Sequence, residues 1–220
     1  MELWRFLLFS SLEYVGMIVL MFAVFRFSFR GFIPHTVFIC VFLSFISHYF
    51  RETHLSMYAT FVQEILFVVC IYLLYRVPWF YAMIMGTVGF QTYVTLQTML
   101  FLIGIKSGWL TVEDINYFNI KGLLNLMIHL GIIGFISYLL TRKGWGFTFI
   151  PTGNFDRLKM TGLNISILLL SVIGVVILGV AHFYFDERRL PIFFTLSIMQ
   201  LAFLIGLILY SLRKENQDLG

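Results

Sequence analysis

Apolar positions along this chain gather into seven long runs separated by short polar or charged links. They extend roughly from Leu3 to Phe25, Ile33 to Phe50, Leu55 to Tyr75, Trp79 to Ile105, Ile120 to Leu140, Leu163 to Phe185 and Pro191 to Leu212. A helix rising 1.5 Å per residue needs about 20 mainly apolar residues to cross a hydrocarbon layer of about 30 Å. The second run is short for that task and the fourth is long enough to tilt. The pattern predicts an all-α, polytopic membrane protein, a bundle of about seven transmembrane helices. Residues 1–212 form a single transmembrane domain, and 213–220 a short charged cytoplasmic tail.

Composition supports this reading. Hydrophobic residues make up 60% of the chain and charged residues 12%, against about 25% charged in average soluble domains. Many aromatic residues fall near run ends (Trp4, Tyr49, Tyr75, Trp79, Trp109, Tyr117, Trp145, Tyr184, Tyr210), where amphipathic rings favour the headgroup layer. The net charge of +4 comes from Lys and Arg in links and tail. Anionic lipid suits them as a partner, and no basic run resembles a nucleic-acid surface. Cys40 and Cys70 lie inside apolar runs and read as small buried hydrophobes, not a disulfide framework. The first run passes Glu13 without a small-residue cleavage site, so it reads as a retained helix.

Orientation follows from the basic residues. With the N-terminus outside, nine Lys and Arg fall on the inner side and six on the outer, the difference lying mostly in the link with Arg142, Lys143, Arg157 and Lys159. The expected arrangement in a cell membrane is N-terminus outside, C-terminus cytoplasmic. Dropping any one span would put both termini on one side. The longest links, Lys106 to Asn119 and Thr141 to Gly162, read as surface-hugging segments, the second punctuated by Gly144, Gly146, Pro151 and Gly153.

Polar groups inside the runs are the costly residues. Glu13, Glu64 and His129 each lie about halfway along a run, with Gln63, Gln91, Gln97 and Asn125 nearby. A charge at the bilayer centre costs about 2.5 to 3.5 kcal/mol on insertion scales. These seven residues are expected to line a polar seam inside the bundle, with Glu13, Glu64 and His129 at one depth, serving as a ligand pocket, a proton or ion relay, or simply helix-to-helix hydrogen bonding. An outer-face cluster is expected from His48, Arg51, Glu52 and His54 with His182, Arg188 and Arg189. It reads as solvated helix ends, and its arginines suit anionic or peptidic ligands. The segment HYFRETH lacks the HExxH order of a zinc helix, so no metal or cofactor is expected. Gly86 and Gly89, Gly131 and Gly134, and Gly174 and Gly179 read as close-packing points between helices.

Catalytic signatures are thin. There is no GxSxG, no Walker loop and no paired aspartates within runs. Membrane cysteine proteases of the AgrB type carry a His and a Cys seven residues apart, whereas His35 and Cys40 here are five apart. No catalytic residue is assigned.

Seven Phe-rich runs with short links, the last leading directly into a charged RKENQ segment, resemble the membrane sensor region of bacterial peptide-sensing histidine kinases of the AgrC type. That resemblance implies detection of an extracellular peptide. The chain carries no kinase glycine boxes after its last run, so it implies a receptor or accessory subunit signalling through a membrane or cytoplasmic partner, and not a kinase. The alternative is a transport subunit or small transporter using the mid-membrane polar groups. A structural or assembly protein without a ligand is a third.

Overall fold

The computed structural model describes residues 2–27, 31–53, 59–111, 114, 119–150, 162–183 and 190–219. They form seven helices, α1 (Glu2–Val24), α2 (Ile33–Glu52), α3 (Ala59–Leu74), α4 (Trp79–Lys106), α5 (Ile120–Lys143), α6 (Gly162–Phe183) and α7 (Leu190–Leu219), with no strand among the described residues.

Local chemistry sets several of the boundaries. Pro34 in the first turn of α2 and Pro78 at the N-cap of α4 need no helical N–H there. The Asn119 side chain caps α5 by accepting from the Lys121 N–H at 3.2 Å. At the other end of α5, Gly144 takes φ 64°, and Trp145 N–H reaches back to the Leu140 carbonyl at 2.9 Å. This left-handed exit satisfies carbonyls that the last turn leaves free. Arg26 and Arg76 make similar left-handed exits after α1 and α3.

Five helical segments are long and apolar enough to cross a membrane: Leu3–Val24, Ile33–Phe50, Trp79–Lys106, Ile120–Lys143 and Phe194–Arg213. Among the described residues α3 does not reach that length. α3 has 16 residues, about 24 Å of helix, because the start of its run falls on residues 54–58, outside those described. α6 runs 22 residues, Gly162–Phe183.

α4 is the hub. It packs against α1, α3, α5, α6 and α7, while α2 lies against α1 and α3 and α7 pairs with α6. Large apolar side chains such as Phe38, Phe45, Ile103 and Phe135 point outward, as acyl chains require and water would not tolerate. Glycines permit the closest approaches to α4. A Cβ on Gly86 would come within 2.6 Å of Val68 on α3, and one on Gly89 within 2.8 Å of Met21 on α1. Gly131 and Gly134, expected as packing points, have nothing within 4 Å of an added Cβ. They face away from the packed side of α5.

At the end where α1 and α3 terminate, aromatic rings close the bundle. Phe22, Phe27 and Phe32 gather on Tyr75, whose hydroxyl shares a 3.0 Å hydrogen bond with Thr36. The segment after α5 tucks beneath them. Phe147 N–H donates to the Val24 carbonyl at 2.7 Å, and the rings of Phe147 and Phe149 contact Phe25. This part of the expected inner link is docked against the bundle; its remainder, 151–161, lies outside the described residues.

Candidate functional site

The polar groups of the apolar runs turn inward and collect on α4, but on two faces of it and at two heights. The first node joins α1, α4 and α5. Gln97 donates from Nε2 to Glu13 Oε1 at 2.8 Å, tying α4 to α1. The His129 ring, fully buried, meets the Tyr93 ring edge-on with centroids 4.6 Å apart. Asn125, one turn before His129, is buried with its Oδ1 lacking a hydrogen-bond partner. Gly16, one turn after Glu13, brings these helices together, since a Cβ there would touch Leu130 at 2.7 Å and Tyr93 at 3.5 Å. Glu13 and Gln97 themselves are half-buried.

The second node joins α3, α4 and α6. Glu64 is 1% exposed and faces Gln91, also 1% exposed, without a hydrogen bond of regular geometry. The Gln91 amide lies directly over Gly174 of α6, where a Cβ would fall within 2.3 Å of Nε2. Ser171, almost a turn earlier on α6, is buried with its hydroxyl unpartnered, and so is the amide of Gln200 on α7. Gln91 and Gln97 are six residues apart, or about 9 Å along α4. Glu13 and Glu64, expected at one depth, thus belong to two nodes at different heights of α4.

The reason is the α3–α4 register. Val68 packs against Gly86, and this antiparallel contact sets Glu64 beside Gln91 rather than level with Glu13 and His129. Gln63, next to Glu64, is half-buried. Tyr93, Ser171 and Gln200 were missed from sequence. Gln200 was detectable as an amide in the middle of an apolar run, whereas a Tyr or Ser in such a run carries little signal.

The chain matches no protein-family model, no curated protein and no solved structure. Residue roles therefore rest on packing and chemistry alone.

Of the expected outer-face cluster, the described residues contain one pair. His48 Nε2 lies 3.8 Å from Glu52 Oε1, one turn apart on α2, and the Phe6 ring of α1 packs edge-on against the imidazole. Glu52 is largely exposed, so this contact is weak by itself. Arg51 belongs to α2 and His182 to α6, but their side chains are outside the described set, as are His54, Arg188 and Arg189 altogether. Among the described residues no three metal-ligating side chains come together.

The link after α4 has its own polar organiser. Asp114 accepts from Thr111 N–H at 2.8 Å and from Thr111 Oγ1 at 2.9 Å, and Asn119 Nδ2 donates to it as well. Lys121 Nζ stands 4.0 Å away. The Thr111 backbone N–H foremost, helped by its hydroxyl, Lys121 and Asn119, holds the Asp114 carboxyl below the usual carboxylate range.

Proposed function

We propose that this protein is an integral cell-membrane receptor that binds an extracellular small molecule or peptide and signals through a partner protein. In this reading all seven helices cross the bilayer, with the N-terminus outside and the C-terminus cytoplasmic. The observation that carries it is the position of α4, which bears both polar nodes and packs on five helices, α7 among them. A ligand that favours one packing of α1, α4 and α5 over another would bias α4, and through it α7.

α7 suits the output role. Its 30 residues make about 45 Å of helix, longer than the hydrocarbon thickness of about 30 Å. A continuous helix leaving the membrane can pass a shift or rotation to whatever docks on its end. The AgrC-type resemblance points to the same class of function.

A test is thermal unfolding of the detergent-solubilised protein across peptide and small-molecule libraries, repeated on Gln97→Leu and His129→Leu. The expected result is stabilisation by a ligand class that both variants respond to less. The transport reading draws on the Glu64 carboxyl held between helices at mid-bundle. Solute uptake into proteoliposomes by the protein alone would favour transport and overturn the receptor.

A further inference from the structure

The α3–α4–α6 node holds more buried polar atoms than its own side chains satisfy. Both carboxylate oxygens of Glu64, the amide O and N of Gln91, and the hydroxyl of Ser171 all lack a regular hydrogen-bond partner, and so do the amide O and N of Gln200. All four side chains are at least nine-tenths buried. An unsatisfied buried polar group forfeits its hydration without a replacement partner, and a group of them in a native fold calls for an occupant.

Three of these groups lie on adjoining faces of α3, α4 and α6, and the fourth is on α7, which packs against α4 and α6. Glu64 faces Gln91, and Gln91 lies on Gly174. Ser171 precedes Gly174 by three residues, on the same buried side of α6. Gln200 lies on the buried side of α7 with Leu204 and Leu207. α3 also packs directly on α6, and α4 on α7.

We infer that Glu64, Gln91, Ser171 and Gln200 form a binding site for a small monovalent metal cation of the sodium class. The acceptors available are all oxygens: a carboxylate, two amide carbonyls and a hydroxyl. Oxygen donors select hard cations, while the absence of thiolate or imidazole at this node disfavours transition metals. One carboxylate balances one positive charge, so a bound monovalent ion leaves the node neutral in the low-dielectric interior. A divalent ion would leave an uncompensated charge there. Gly174 is needed because any side chain at that position would occupy the place of the Gln91 amide. The cation would pin α3, α4 and α6 together, with α7 joining through Gln200. This inference is independent of the receptor reading, which concerns the α1–α4–α5 node.

The test is thermal unfolding of the full chain in detergent, titrated with sodium chloride against choline chloride at equal ionic strength. A saturable rise in Tm with sodium alone is expected, absent in Glu64→Gln and shifted to about 10-fold higher sodium in Ser171→Ala. The serine change is small enough to leave the fold intact should Glu64→Gln not accumulate. Identical curves in the two salts would overturn the site. So would an unchanged sodium response in Ser171→Ala together with Glu64→Gln, where the latter folds.

Discussion

Three carboxyl groups illustrate how far surroundings decide what one kind of residue does. Glu13 is half-buried and receives a hydrogen bond from Gln97 across two helices. Glu64 is enclosed. Asp114 lies in the link after α4 and organises it through Thr111 and Asn119. Because its folded-state pKa is lowered, the stability it contributes is present above the ordinary aspartate range. That contribution disappears as pH falls through the lowered value. As pH falls from 7 through the ordinary aspartate range and below it, the thermal-stability advantage of the wild-type protein over Asp114→Asn should shrink steadily. Curves running parallel throughout would contradict the role given to Asp114. Glu13, Glu64 and His129 were legible in the sequence because an ionisable group in an apolar run stands out. Their grouping was not, since midpoints of runs carry no information about how far one helix slides past another.

Helix identity and order could be read from hydrophobic pattern alone, and the seven elements fall where the seven runs do. Which faces meet could not. Gly86 and Gly89 were rightly marked as packing points, for their missing side chains admit Val68 and Met21, but Gly131 and Gly134 open onto free space. The two pairs should respond oppositely to substitution. Gly89→Ala must push Met21 and its helix aside and should cost about 1 to 3 kcal/mol. Gly131→Ala and Gly134→Ala meet nothing and should be neutral or gain about 0.4 to 1 kcal/mol by restricting the unfolded chain. Denaturant unfolding in detergent measures both, and equal losses at all three sites would refute the packing described for α4 and α5.

At the scale of the molecule, an apolar exterior surrounds a largely apolar core in which the polar groups are confined to nodes about α4. The sequence marked which residues would be inside, because placing them in lipid is expensive. It could not reveal the hub, which depends on pairwise packing between distant segments and on register contacts such as Val68 against Gly86. α1 and α3 each pack broadly on α4 and have no comparable interface with one another. The Glu13 and Glu64 nodes are therefore separate, and one helix joins them. Cysteine cross-linking in native membranes, in a chain freed of Cys40 and Cys70, examines this most directly. Glu13→Cys with Gln97→Cys, and Gln91→Cys with Gly174→Cys, should each be joined by a short bifunctional thiol reagent that spans the gap left by the removed side-chain ends, while Glu13→Cys with Glu64→Cys should not. Efficient coupling of that third pair, or failure of the first two, would contradict a bundle built on two polar nodes of α4.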